Sequence, residues 1–133
     1  MSLMIIGFFL VGVLLTAVVV DVSAAHLRRT SMNNLADGAA LAAADAVQGE
    51  QVYTTGLDGD AVVDASVARP YVRAYLADTG AFAEYPGLRW TVQQDGPEVR
   101  VRVSAPLELP LSIAGFTDDA TVAGEAQVRV RVS

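Results

Sequence analysis

The residue types that most often carry catalysis are sparse in this 133-residue chain. His26 is the sole histidine, and acid–base or metal chemistry at a histidine needs further convergent groups. Asp21 and Arg28 lie within about two helical turns of it, which allows local pairing only. The chain has no cysteine, so thiolate nucleophiles, disulfides and zinc–thiolate sites are excluded. We expect His26 to be an exposed or interfacial residue and not a ligand.

A short acidic segment holds Asp58, Asp60 and Asp64 and faintly resembles a calcium loop. An EF-hand needs oxygen ligands at alternate positions and a glutamate at the twelfth, and Val62 already breaks that series. Helix capping by Asp60, with Asp64 in the first turn, is the simpler interpretation. The sequence also shows no nucleophile-elbow serine and no phosphate-binding glycine loop. We therefore predict a protein that is not an enzyme and that uses no metal, cofactor or small-molecule substrate.

Arginines form the remaining candidate site. All nine basic residues are arginine, and the hexapeptide VRVRVS occurs twice, at residues 99–104 and 128–133. Its alternation places valines on one face of a strand and arginines on the other. The outward face either meets a partner or is a solvated face with ion pairs to Glu98, Glu108 or Glu125. The possible partner-facing residues are Arg100, Arg102, Arg129 and Arg131.

The charge balance limits the class of partner. The net charge of −6 and a calculated isoelectric point near 4.5 argue against nucleic-acid binding, which needs a basic surface.

Residues 1–20 organise the chain, because this apolar run contains no charged side chain. About twenty apolar residues are what one helix needs to cross a bilayer. A cleaved secretory signal is the alternative, favoured by the small residues Val22 to Ala25. Against it, the run is longer than a usual signal core and no basic residue precedes Leu3. We expect a retained membrane helix, whose orientation the later pair Arg28-Arg29 does not settle.

The helical pattern continues beyond Val20 without a proline, so we predict one helix from about Leu3 to about Val47 that ends at Gly49. Small residues recur at four-residue spacing along it, which lets another helix approach closely. Asp37 and Asp45 fall on one line with Leu41 between them, and we expect the two aspartates to flank this contact. Asp21 closes the apolar run, where it marks the interface or pairs with a base of another subunit. The predicted helix-packing and assembly residues are Gly12, Thr16, Asp21, Ala36, Gly38, Ala40, Ala42 and Ala44.

A second helix is predicted over about residues 61–77, ended by Gly80. Pro70 either kinks it or opens the second of two short helices. Its predicted buried side comprises Val63, Val67, Tyr71, Ala74 and Leu76.

The last third changes to a two-residue period, which predicts a three-stranded antiparallel sheet. Its strands are Leu88 to Val92, directed inward at Leu88, Trp90 and Val92, and the two VRVRVS segments. A turn at residues 94–97 joins the first two strands. Residues 105–119, broken by Pro106 and Pro110, form an apolar connection that covers the sheet edge or meets a partner. The fold class is therefore α+β, divided into a transmembrane part (1–20), an Ala-rich stalk of the same helix (21–48) and a small head (49–133).

Two motifs carry a family resemblance. The span ends in Val19-Val20-Asp21-Val22, and after Arg28-Arg29 comes the alanine-rich segment NNLADGAALAAADA at residues 33–46. The chain resembles the TadE/TadG-like pilus-assembly proteins of the tight-adherence (Flp) system, particularly the shorter actinobacterial TadG-related type. The tail from Val103 through Leu111 to a final strand is also similar to that type.

The resemblance implies a pilin-like component, either a minor pilin or a pseudopilin. It would be a single-pass protein of the cell membrane or a surface pilus, with its head outside the cytoplasm. Its partners would be membrane lipid and other pilin-like subunits or pilus-assembly proteins. The alternative is a single-span envelope binding module that is tethered to the membrane and not incorporated in a fibre.

Overall fold

The computed structural model describes residues 1–54, 65–107 and 121–129, with only the backbone described for residues 50–54. The elements are α1 (Ser2–Thr54), α2 (Ala65–Asp78), α3 (Ala81–Glu84), β1 (Arg89–Asp95), β2 (Glu98–Pro106) and β3 (Thr121–Arg129). The strands form one antiparallel sheet in the order β1-β2-β3. The predicted α+β class, with a long first helix and a three-stranded antiparallel sheet, is confirmed.

Helix α1 runs without interruption for 53 residues, a length of about 80 Å. The predicted continuous helix is therefore confirmed, but its predicted end at Gly49 is wrong, because α1 continues to Thr54. A glycine inside a helix costs only about 1 kcal/mol relative to alanine. The preceding turn is held by Val47, which is buried in the core, and this packing outweighs so small a penalty.

The hairpin between β1 and β2 matches the prediction. Asp95 pairs with Glu98 across a two-residue connection, and Gly96 has a φ of 58° at its first position. A two-residue hairpin turn needs a positive φ at that position, and glycine adopts it without strain. Val92 is buried, whereas Leu88 and Trp90 are half-buried against the core, so the predicted inward side of the first strand is confirmed.

The later strands differ from their predicted bounds. β2 extends past Ser104 to Pro106, and β3 occupies Thr121–Arg129 where the second VRVRVS segment was expected. The inner positions of β3 include Gly124 and Ala126, which pair with Val103 and Val101 of β2. Because glycine and alanine are so small, the alternation of apolar and polar residues in this strand is not apparent from the sequence. Residues 130–133 and most of the predicted 105–119 connection lie outside the described residues.

The core lies around the middle of α1. Met32, Ala36, Ala39 and Ala40 are fully buried there, together with the three valines of β2, namely Val99, Val101 and Val103. β3 approaches α1 so closely at Gly124 that a Cβ there would lie 2.3 Å from the carbonyl oxygen of Met32. The head is thus built on the helix itself. The division of the chain at residue 48 remains a prediction about domain boundaries, but the packed core of the head includes residues of the stalk.

Helix α2 packs on α1 through Ala68, Val72 and Leu76, which are fully buried at four-residue spacing. The predicted buried side was correct for Leu76 and wrong for Tyr71 and Ala74, which are exposed, while Val67 is half-buried. Pro70 lies inside this single helix on an exposed position, so the alternative of two short helices is excluded. Val63 and the predicted cap Asp60 lie outside the described residues.

Candidate functional site

Among the residues that the structure describes, the largest uncovered apolar surface is the N-terminal part of α1. Nearly every residue from 1 to 20 is exposed, and only Ala17 is half-buried by any part of the chain that the structure describes. Leu3 is 86% exposed and Phe8 is 84% exposed. Within the described residues, this is the one helix long and apolar enough to cross a membrane, and none of that stretch is covered by the head. Such a surface requires lipid or another helix as its environment.

Gly12 and Thr16 form a small, smooth surface within this span. The hydroxyl of Thr16 donates to the carbonyl oxygen of Gly12 at 2.9 Å, so its polar group is satisfied inside the helix. No described atom would lie within 4 Å of a Cβ added at Gly12. The pair therefore remains a predicted contact for a neighbouring helix.

The described charged and titratable residues near the boundary of the span do not come together as a catalytic or metal-binding centre. His26 is exposed, and only its backbone carbonyl takes part in a described side-chain contact, as acceptor from Thr30 Oγ1 at 3.1 Å. Asp21 is half-buried and has an interaction within the chain, so its pairing with another subunit remains a prediction. In the described part of the chain, no three His, Asp or Glu side chains form a group that could hold a metal ion. The predicted acidic segment with Asp58, Asp60 and Asp64 lies outside that part.

The alanine stripe has a different role from the one expected. Ala36 and Ala40 are fully buried and Ala44 is 3% exposed, all inside the core of the chain's own head. The expectation that these three pack on other subunits is therefore wrong, because their surface is already used by the sheet and α2. Ala42 is half-buried.

Gly38 is used in the same way, as the point where α2 approaches α1. Tyr75 of α2 lies over it, and a Cβ at Gly38 would lie 1.9 Å from Tyr75 Oη. The small residues of the stalk thus allow the head to close on its own helix.

One line of α1 beside the head remains open. Asn34, Asp37, Leu41 and Asp45 are exposed. Leu41 is 58% exposed although Ala40 is fully buried and Ala42 is half-buried. The sequence predicted that Asp37 and Asp45 would flank a contact, but it did not identify Leu41 as the centre of an uncovered face. The four-residue spacing of Asp37, Leu41 and Asp45 was the sequence pattern that could have indicated this open face.

Tyr85 joins the head to the stalk close to the span, and sequence reasoning missed it. Its hydroxyl forms a hydrogen bond with Ser31 Oγ of α1. Arg28 Cζ lies 5.3 Å from the centre of the Tyr85 ring, in the range of a cation–π contact. Tyr85 is only 5% exposed. It follows a four-residue helix and has no periodic neighbours, so the sequence offered no pattern that could mark it.

The arginine face of the sheet is largely paired within the chain. Arg100 Nε lies 3.2 Å from Glu125 Oε1, an ion pair without hydrogen-bond geometry, and Arg129 lies 3.1 Å from Glu98. Glu98 also accepts a hydrogen bond of 2.7 Å from Gln127 Nε2. These pairs match the interpretation of a solvated face with intrachain ion pairs. Arg102 is exposed and stands opposite Glu125 in the register, whereas Arg131 lies outside the described residues.

Comparison with known proteins gives one match. Residues 1–46 match the model of a family described as putative Flp pilus-assembly TadE/G-like. No curated protein and no solved structure matches the chain. The matched segment contains the apolar span, Gly12, Thr16 and the open line of α1 as far as Asp45, while the strands of the head lie beyond it. This match supports a role in Flp pilus assembly and, together with the apolar helix, association with a membrane.

Proposed function

We propose that this protein is a non-enzymatic, pilin-like component, a minor pilin or pseudopilin, of a tight-adherence pilus-assembly system. The observation that supports this most directly is the form of α1. Its uncovered apolar part and the core of the head belong to one unbroken helix, and the part of the chain that matches the pilus-assembly family is that same helix.

The mechanism is helix packing. The segment from Leu3 to Val20 holds the subunit in the bilayer or in a fibre, and it presents apolar surface to lipid and to other pilin-like subunits. Because Met32 to Val47 of the same helix form part of the head's core, the head has a rigid connection to the span. A subunit held by its helix therefore displays its head in a defined direction. We place the head outside the cytoplasm, on a single-pass chain.

Structural use of polar side chains favours this role over an enzymatic one. The hydroxyls of Thr16 and Thr30 donate to backbone carbonyls one turn earlier in α1, and that of Thr79, just after α2, donates to a carbonyl of α2. The hydroxyls of Ser31 and Tyr85 bind each other between α1 and the segment after α3. Each of these groups stabilises packing or a helix in the described part of the chain.

Shearing of piliated cells tests the proposal. We expect the full-length protein, carrying an epitope at its C-terminus, to appear in the sheared fibre fraction together with the pili. A protein that stays entirely with the membranes while pili are released would support the alternative, a membrane-tethered envelope binding module. Co-purification with assembly proteins, without release by shearing, would instead indicate a role in the assembly machine alone.

Two glycine variants make this test specific to helix packing. Gly12→Leu adds bulk beside Thr16, whereas Gly7→Leu adds the same bulk to the span about 140° further around the helix. In the described structure neither new Cβ would meet an atom of the chain within 4 Å, so both variants should fold and insert. We expect Gly12→Leu to reduce recovery in the fibre fraction several-fold and Gly7→Leu to leave it near wild type. Equal recovery of the two variants would contradict the packing role of Gly12.

A further inference from the structure

Five positions of α1 recur at intervals of seven residues and are all uncovered. Val13, Val20, Leu27 and Leu41 are 53%, 41%, 68% and 58% exposed, and Asn34 is exposed between the last two. Residues seven apart in an α-helix differ by only about 20° in direction. Over its four intervals the series therefore turns by about 80° in a straight helix, a drift that the left-handed supercoil of two paired helices removes. The series passes from the membrane span to the open side of the head, and we call it the heptad line.

Small hydroxyl residues accompany this line three positions further along. Thr16, Ser23 and Thr30 follow Val13, Val20 and Leu27 in turn, and all three are exposed. The hydroxyls of Thr16 and Thr30 donate to carbonyl oxygens of their own helix. A second helix can therefore approach closely here without leaving those hydroxyls unsatisfied. Together the two series have the spacing of the a and d positions of a coiled coil.

The head leaves this side of the helix open. Met32, Ala36, Ala39 and Ala43 are buried on the opposite side, where the sheet and α2 pack. Among the described side chains of α1 from Met32 onward, Leu41 is the one large apolar residue that is more than half exposed. Fold stability does not require a leucine at such a position.

We propose that the heptad line is the contact surface of a second copy of this chain, packed in parallel over about 42 Å from Val13 to Leu41. Two copies inserted through the same span have the same direction and the same depth. Each residue on the heptad line of one helix then faces the same residue of the other helix. Asn34 faces Asn34, and a polar pair at a single a position fixes the register and the number of strands in a coiled coil.

Asp37 marks the position along α1 beyond which the two helices no longer pack closely. It follows Thr30 by seven residues and is exposed, so in a parallel pair the two carboxylates approach each other. Like charges at this layer oppose contact. The helices should therefore be closest between Val13 and Asn34, and further apart at Leu41.

This proposal is independent of incorporation in a fibre, because it requires only that the span be inserted in a membrane. A pilus subunit and a tethered module would both satisfy it. Its test therefore uses cells or membranes without pili, while the shearing experiment addresses the fibre.

Single-cysteine variants of the full chain provide the test, since the native sequence has no cysteine. Leu27→Cys and Val22→Cys form a matched pair, because both positions are exposed to a similar extent, 68% and 64%. They lie about 140° apart around the helix. In membranes treated with a mild oxidant, we expect Leu27→Cys to form a disulfide-linked species of twice the chain's mass at least five-fold more than Val22→Cys. Val13→Cys and Val20→Cys should resemble Leu27→Cys.

The outcomes decide between possible occupants of the surface. Equal cross-linking at Leu27 and Val22 would show random collision, and absence of the doubled species at Leu27 in well-expressed protein would show that lipid or solvent covers this line. A cross-link whose mass identifies a different protein would also overturn the proposal. Two differently tagged copies that cross-link to each other at Leu27 would confirm the second copy.

A charge variant tests the predicted divergence. Leu41→Cys should cross-link less than Leu27→Cys, and adding Asp37→Asn should raise the yield at Leu41 several-fold by removing the facing carboxylates. The matched control is Asp45→Asn, which removes a charge one turn beyond Leu41, on the side of the heptad line away from the hydroxyl residues. No increase with Asp37→Asn would contradict the parallel alignment.

Discussion

Gly124 of β3 faces the main chain of Met32 in α1 with no room for a side chain. A Cβ at Gly124 would lie 2.3 Å from the carbonyl oxygen of Met32 and 2.6 Å from the backbone nitrogen of Asn33. The obstructing atoms belong to the backbone of a long helix, so they cannot move aside independently. This contact sets the distance between the sheet and the stalk.

Substitution of this glycine should therefore destabilise the head. We expect Gly124→Ala to lower the free energy of unfolding by about 3 kcal/mol, at the upper end of overpacking effects, because helix and sheet must separate. Thermal or urea unfolding of the full chain in detergent, followed by Trp90 fluorescence, measures the change. Gly49→Ala is the control, because among the described atoms none lies within 4 Å of its new Cβ, and it should stabilise α1 by about 1 kcal/mol. Similar results for the two variants would contradict the close approach of β3.

Gly38 makes a similar contact with a side chain, so its substitution should be less costly. Gly38→Ala overlaps the hydroxyl end of Tyr75, whose ring is half-buried and can rotate outward. We expect a loss of about 1 kcal/mol in the free energy of unfolding. In a Tyr75→Ala background, the same change should become neutral or stabilising, because only the helix preference for alanine remains. A loss that is equal in both backgrounds would exclude Tyr75 as the cause.

The contact between Tyr85 and Ser31 is expected to couple the head to the lower stalk. Tyr85→Phe removes a hydrogen bond from a nearly buried side chain and should cost about 1 kcal/mol. Ser31→Ala should cost a similar amount, and the double variant should cost less than the sum of the two. A double-mutant cycle on unfolding free energies measures this coupling. Strict additivity would show that the two hydroxyls do not interact.

Ion pairs on the outer sheet face should contribute little to stability. Arg129 and Glu98 are 56% and 30% exposed at their side chains, and exposed pairs are screened by solvent. We expect Arg129→Gln to change the free energy of unfolding by less than about 1 kcal/mol, with a still smaller effect at high salt. A larger loss, or a loss that persists at high salt, would contradict this view of the face.

Accessibility of the head tests its proposed location outside the cytoplasm. Thr91 is an exposed residue on the outer side of β1, so Thr91→Cys introduces the only thiol without disturbing the core. We expect a membrane-impermeant maleimide to label this variant in intact cells. Labelling only after the cells are lysed would place the head in the cytoplasm. A cytoplasmic protein carrying one exposed cysteine serves as the control for leakage.

Local patterns were sufficient to predict α1, α2 and the hairpin of β1 and β2, whereas α3 was not predicted and β3 was placed too far along the chain. Twenty uncharged residues predict a span, a proline-free alanine-rich continuation predicts one helix, and alternating valines predict β2 with Val99, Val101 and Val103 inward. Each of these signals depends on neighbours in the sequence, and the structure confirms the helix and the inward valines. The paired motifs at residues 19–22 and 33–46 likewise led to the pilus-assembly family, whose model matches residues 1–46.

Only the tertiary structure decided which face of α1 meets which partner. Ala36, Ala40 and Ala44 fit a contact with another subunit as well as one within the chain, because an alanine stripe specifies close approach but not the identity of the approaching surface. The sheet and α2 bury that stripe and leave Leu41 exposed on the other side. The same close approach explains why the inner side of β3 has Gly124 and Ala126, whose small side chains obscured the strand. Spacing along the chain sets what each face can accept, but the packing of distant segments determines which face is already occupied.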